Sequence, residues 1–210
     1  MAAPTEGETD VAEPTEVRPS RRSHGPRRSD ETHGAILDAA EALLTEKGPN
    51  GVTFEAVARR AGAGKPTLYR WWASRAALLF EVYERLKSTV MPSPDTGSLA
   101  GDLTAVLGDL WRFWRDGPAG AAYAAILSDA RTDPATRAII VAQITAPDFS
   151  LRPFFARAVA RGEVDEAEAT ALCEFVVAMN WLRLQTDRLD PADIPGLIDA
   201  LVGRRGPRTA

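Results

Sequence analysis

An all-α fold is predicted by three observations. Apolar residues recur at helical spacing from Ile36 to Leu201, and no segment shows the alternation of a half-buried strand. Ser, Thr, Asp, Gly and Pro fall where those stripes begin and end, as helix caps and breakers do. The 210 residues suffice for one or two domains with real cores. The expected division is a polar tail over 1–29, a three-helix group over 30–76, a larger helical group over 77–203 and a frayed end over 204–210, about nine helices in all.

Residues 1–29 carry Pro, Glu, Thr, Ser and Arg with almost no large apolar side chains, a composition expected to stay disordered. Arg18, Arg21, Arg22, Arg27 and Arg28 form a basic arm just before the first helix, open to two readings: an arm reaching phosphates or a minor groove, or a solvated tail. The first helix runs from about Asp30 to Lys47, with Ile36, Ala39, Ala40, Leu43 and Leu44 as its buried stripe. Gly48-Pro49-Asn50-Gly51 is a turn by composition.

Thr53 then caps a second helix whose stripe is Phe54, Val57, Ala58 and Ala61. Gly62 follows it, where a left-handed residue closes a helix at little steric cost. Gly64, Lys65 and Pro66 open the third helix, since proline is tolerated in a first turn. Two short helices about a glycine turn have the form of a helix-turn-helix, which lays its second helix in the major groove of DNA. Ser74 caps a fourth helix with Leu78, Leu79, Val82, Tyr83 and Leu86 inward, broken by Pro92 and Pro94.

Leu99, Leu103, Val106, Leu110, Phe113 and Trp114 define a fifth helix ended by Asp116-Gly117-Pro118, and a sixth covers about 119–130. Asp133-Pro134 starts a seventh, which Pro147 and Pro153 must kink or split before Arg161-Gly162 closes it. Asp165 and Glu168 have the spacing of a capping box and open a long eighth helix to about Asp187. Asp190-Pro191 precedes a last helix with Ile194, Leu197, Ile198 and Leu201 on one face.

The net charge of −4 hides an uneven distribution. Residues 1–17 hold five acids and no Lys or Arg, whereas residues 18–75 hold eleven Lys and Arg against six Asp and Glu. The surplus of positive charge therefore coincides with the helix-turn-helix, as expected of a nucleic-acid reader. Other classes lack their residues. His24 and His33 pair with no nucleophile, and no Walker loop, dinucleotide fingerprint or metal-spaced histidines occur, so neither an enzyme nor a cofactor or metal is expected. The single cysteine, Cys173, excludes an intrachain disulfide and fits a reducing cytoplasm; it is read as packing rather than as a redox sensor. No apolar run reaches the roughly 18 residues of a membrane span.

The segment from Ile36 to Leu86 resembles the DNA-binding domain of TetR-type transcriptional repressors. The run Gly62-Ala63-Gly64-Lys65-Pro66-Thr67-Leu68-Tyr69-Arg70-Trp71-Trp72-Ala73-Ser74-Arg75 is similar to that family's turn, recognition helix and start of helix four almost position by position. Asp95-Thr96-Gly97-Ser98-Leu99 and Arg161-Gly162-Glu163 resemble one subgroup of its C-terminal domains. The family often has a small β-branched residue and then serine where Ala63 and Gly64 stand. Replacing a serine cap by glycine costs only a few tenths of a kcal/mol. Arg75 stands where a lysine is usual.

The resemblance implies an operator-binding surface of Thr53, Lys65, Pro66, Thr67, Tyr69, Arg70, Trp71 and Arg75. Arg70 suits a bidentate contact to guanine, while Tyr69, Trp71 and Arg75 suit the phosphate backbone. It also implies a small-molecule pocket; candidate lining residues are Trp111, Trp114, Tyr123, Phe149, Phe154, Phe155, Phe175, Met179, Asn180 and Trp181, the alternative being aromatics that simply fill a core, and the scarcity of inward-capable polar groups, such as Asn180, Gln143 and Gln185, suggests an apolar or aromatic effector. It implies a homodimer on a palindrome, with Leu172, Phe175, Val176, Met179 and Leu182 of the eighth helix and Ile194, Leu197, Ile198 and Leu201 of the last as interface candidates. The expected activity is a repressor released by its ligand; the alternative is a helical ligand-binding or interaction protein with a vestigial helix-turn-helix.

Overall fold

The computed structural model describes residues 26–203, and side chains from Asp30 onward. The acidic segment, the arginines Arg18, Arg21 and Arg22, and the tail over 204–210 lie outside the described residues, as do the side chains of Arg27 and Arg28. Among the described residues there are ten α-helices and no strand. They are α1 (Pro26–Lys47), α2 (Phe54–Ala61), α3 (Lys65–Trp71), α4 (Arg75–Ser88), α5 (Leu99–Arg115), α6 (Pro118–Asp129), α7 (Pro134–Thr145), α8 (Arg152–Ala160), α9 (Glu166–Gln185) and α10 (Ile194–Val202). The expected seventh helix is two: Ala146 leaves the helical region at ψ 143° ahead of Pro147, and α8 restarts with a proline in its first turn. The first helix also begins four residues before the expected Asp30, at Pro26.

Local chemistry sets the helix ends. The Thr53 hydroxyl accepts from the Ala56 N–H, Ser74 from Ala77, and Asp133 from both Ala135 and Thr136. Asp165 and Glu168 form both halves of a capping box. Gly62 closes α2 at φ 62°, a backbone angle that glycine adopts without steric cost. Gly64 opens α3 with no side-chain cap, where the family often has serine.

Helices α1, α2 and α3 pack around Ile36, Leu44, Val57 and Leu68, all essentially excluded from water. Burying each such side chain contributes about 1.5–3 kcal/mol, which explains how a seven-residue helix holds its place. α4 runs from this group into the second, packing on α1, α6 and α7. There α5 lies against α6, α8 and α10, and α9 against α6 and α8.

One charged group is wholly buried in the larger unit. Asp102 on α5 accepts from the Thr96 N–H at 2.6 Å and the Thr96 hydroxyl at 2.9 Å, and meets Arg157 at 3.2 Å and Arg161 at 3.5 Å. Glu163 adds to the knot by accepting from the Leu99 N–H at 2.8 Å. These bonds tie the segment after α4, the start of α5 and the end of α8 together, so the connection between the two units is anchored.

Candidate nucleic-acid interface and internal cavity

Leu68 and Trp72 are buried against α1 and α2 and fix the rotation of α3. With 3.6 residues per turn, Lys65, Pro66, Tyr69 and Arg70 then point outward and are exposed, with Thr67 and Trp71 half-buried at the edges. Tyr69 is 63% exposed even though its ring rests edge-on against Phe54 at 4.8 Å. The Arg70 guanidinium lies over the Trp71 ring at 5.2 Å and has no acidic partner among the described residues. Lys65 is 3.5 Å from Glu55, but both are more than half exposed, so the pair is weak and the ammonium available.

The far end of α3 is clamped by groups that sequence reasoning did not find. The His33 ring stacks on Trp72 at 4.9 Å and meets Trp71 edge-on at 5.0 Å. Its Nε2 is 3.1 Å from one Glu81 oxygen, and the other Glu81 oxygen accepts from the Trp72 indole at 2.6 Å. His33 lies three residues before Ile36 on the first helix, so helical spacing held the signal.

Arg75 is placed differently from expectation, and Arg60 and Thr53 near α3 have their polar groups engaged within the chain. Arg75 turns toward Asp129 on α6, 4.0 Å away, and its Nε is buried with no hydrogen-bond partner among the described residues. It braces the two units rather than joining the row on α3, because α6 packs directly on α4. Arg60 forms a bidentate pair with Glu46 at 2.6 and 2.7 Å, and this hydrogen bonding holds the Glu46 carboxyl below the usual carboxylate range. Thr53 is exposed, with its oxygen already engaged as the α2 cap.

Behind α4 a small cavity of about 50 Å³ is lined by Tyr83, Lys87, Trp114, Tyr123, Gln143, Phe149, Val177, Asn180 and Trp181, among others. It adjoins a wider groove of about 660 Å³ between α7, α8 and α9, which includes Phe155, Val159, Cys173 and Ala178. Ile144, Phe149, Val177 and Trp181 border both spaces. Tyr123 stacks between Tyr83 at 4.6 Å and Trp114 at 5.7 Å. The Tyr123 hydroxyl donates to Gln143, and Gln143 donates to Glu84 on α4, each across 2.8 Å. Burial pushes the Tyr83 and Tyr123 hydroxyls well above the ordinary phenol range, so both stay protonated.

Trp114, Tyr123, Phe149, Phe155, Asn180 and Trp181 therefore border these spaces, while Trp111, Phe154, Phe175 and Met179 do not. Trp111 sits one layer behind, donating to Asn180 at 2.5 Å, and Phe154 is core. Phe175 is 62% exposed because the face of α9 that carries it points away from α6 and α8. Gln143 lines the cavity as expected, whereas Tyr83, Lys87, Leu110 and Val177 are among the lining residues that the expected set lacks. Lys87 stands four residues after Tyr83 on α4, so its facing was available from the spacing.

The expected interface residues divide as well. Leu172, Val176, Ile194 and Ile198 are buried within the chain's own core, whereas on the last helix Leu197 and Leu201 are half-buried. The apolar residues that α9 exposes are Phe175 and Leu182, with the half-buried Met179 and the exposed Ala171 and Ala178 on the same side. A long helix carries two apolar stripes, and periodicity alone did not say which one faces inward. Among the described residues no helix is long and apolar enough to cross a membrane, and no group of His, Cys, Asp and Glu is placed to hold a metal ion.

Comparison with known proteins gives a consistent result. Residues 36–82 match the family model described as bacterial regulatory proteins, tetR family, and residues 93–201 match the tetracyclin repressor-like C-terminal domain. The uncharacterized HTH-type transcriptional regulator YdeS of Bacillus subtilis is 40% identical over 89 residues, covering 42% of this chain and 45% of that protein. The chain thus spans about half the length of that relative. The crystal structure of the TetR family transcription regulator SCO0332 superposes with a TM-score of 0.68 at 27% identity, over 84% of this chain and 100% of that one. That of the multidrug binding protein EbrR complexed with imidazole gives 0.59 at 25% identity, over 92% and 100%.

Proposed function

The chain belongs to the TetR family of bacterial regulatory proteins, DNA-binding transcription factors rather than enzymes, and on that premise we propose that it is a repressor that a small molecule releases from its operator. The observation that carries this reading is the position of α4. Glu81 on α4 holds the end of the reading helix, while Tyr83, Glu84 and Lys87 on the same helix face or flank the cavity. A ligand that fits only one placement of α4 therefore biases the placement of α3, which is all that release requires.

In this reading Lys65, Thr67, Tyr69, Arg70 and Trp71 meet DNA, with Thr53 and Pro66 beside them. Phosphate contacts from Lys65 and Tyr69 position α3, and Arg70 reads a base. Repression is the default action because a protein seated on a promoter blocks polymerase. We place the boundary between reader and effector unit near residue 76, in the first turn of α4. The structure of the multidrug binding protein EbrR complexed with imidazole supports a small-molecule effector here. A single helix-turn-helix binds weakly, so the working form is a homodimer on two half-sites. Phe175, Met179 and Leu182 of α9, with Leu197 and Leu201 of α10, supply the apolar face that such a dimer needs.

Selection of bound duplexes from a random pool tests the whole reading. A palindrome whose half-sites are spaced for two readers is expected. An unsymmetric site removes the dimer, and weak binding that is flat between 50 and about 200 mM salt returns the protein to the vestigial reading, since phosphate contacts make affinity fall steeply with salt.

A further inference from the structure

We infer that the effector is an amphipathic acid, its anionic head on Lys87 and Tyr83 and its apolar body along the groove between α7, α8 and α9; this rests on the effector-binding reading above. Free space sets the orientation. The inner cavity of about 50 Å³ holds only about three to five groups of water size, at about 10–15 Å³ each. A head group fits there and a ring system does not, whereas the 660 Å³ groove takes the bulk of a ligand.

The chemistry of the inner end asks for an acceptor. The amide acceptors that line it are already engaged, Asn180 Oδ1 by Trp111 and Gln143 Oε1 by Tyr123, while the Ser150 hydroxyl can donate or accept. Donors remain. The Tyr83 hydroxyl accepts from Trp114 at 3.2 Å but has no acceptor for its own proton among the described residues, although Tyr83 is 2% exposed. Among the described residues Lys87 is the only charged one lining the inner cavity, with its side chain 15% exposed. One of its three N–H groups is given to Glu84 at 2.7 Å, which leaves two. The outer groove carries Glu166 and Glu174 against Arg152, so an anion is disfavoured there and favoured inside.

The same placement supplies a switch. Glu84 is held by both Lys87 and Gln143, which bonds α4 to α7. A carboxylate arriving at Lys87 competes for the ammonium and repels Glu84, loosening that bond between the helices. The ligand thus acts on α4 through charge and not only through volume.

The test uses the full-length protein with decanoate, decanol and decylamine as probes, read by Trp fluorescence and by release from a selected duplex. Decanoate is expected to bind at least about tenfold more tightly than the other two, the margin expected of a hydrogen bond to a charged group. Lys87→Met, checked for folding by circular dichroism, is expected to erase that margin and Lys87→Arg to restore it. Equal binding of all three probes, no decanoate binding, or a margin that survives Lys87→Met overturns the acid assignment. Decanol or decylamine releasing the duplex as well as decanoate leaves the effector reading intact while sinking the head-group assignment. Decanoate that binds through Lys87 without releasing the duplex upholds the head-group site and removes the release reading.

Discussion

Trp72, immediately after α3, donates its indole N–H to the Glu81 carboxylate on α4 across 2.6 Å, so the reading helix and the cavity-lining helix share a direct bond. Trp72→Phe keeps the buried ring and removes only this bond. A loss of about 1–2 kcal/mol in unfolding free energy is expected, at the low end for a charged acceptor because Glu81 is partly solvated. Chemical denaturation measures it; an unchanged midpoint refutes the coupling.

In the proposed function the face of α3 divides into positioning and reading residues. Lys65→Ala is expected to weaken binding to all duplexes and to reduce the salt slope by about one, as loss of one phosphate contact does. Arg70→Ala is expected to cost about 1–3 kcal/mol on the best sequence and to relax selection at one position. Titrations of matched and mismatched duplexes at several salt concentrations separate the two.

On α9 the two stripes make opposite predictions. Phe175→Glu with Leu182→Glu puts charge on the exposed side, and sedimentation is expected to show monomers with a normal circular dichroism spectrum. Leu172→Ala or Ile198→Ala empties a core site and is expected to cost about 2–5 kcal/mol of stability, with assembly retained below the melting transition. Monomers from the second pair and not the first reverse the assignment.

Asp102 confers a dependence on pH. Burial alone would raise its carboxyl, but the hydrogen bonds from Thr96 and Arg157 outweigh that and hold it below the usual range. A folded value below the unfolded one means that the ionised carboxylate favours folding. Its contribution is complete above about pH 4, the ordinary carboxyl value, and is lost as pH falls through the depressed folded value. Melting curves from pH 7 to 2.5 are expected to show Asp102→Asn less stable at neutral pH and converging with the parent protein in acid. Parallel curves over that range count against the ion pair.

Much of the fold is legible in the chain because its signals are local. Caps at Thr53, Ser74 and Asp133, the capping box of Asp165 and Glu168, and the left-handed Gly62 act within a turn or two of backbone. The same holds for the rotation of α3. Leu68 and Trp72 are the residues whose burial leaves Lys65, Tyr69 and Arg70 outside, and their spacing is visible in a seven-residue stretch. The likeness of that stretch to a known family follows from the same local constraints.

What packing alone decided concerns residues with two plausible surroundings. α9 has apolar side chains around most of its circumference, so only the arrival of α6 and α8 chose Leu172 and Val176 for the core and left Phe175 outside. Arg75 is a cation one residue past a cap, equally suited to phosphate or carboxylate, and the approach of α6 brought it Asp129. Lys87 meets Glu84 three residues away on α4, whereas Gln143, far off in the chain, reaches the same carboxylate because α4 and α7 cross there. Helices are set by neighbours three and four residues away, whereas the reading surface's bracing, the cavity wall and the free apolar face depend on which helices meet, and that is a property of the folded chain.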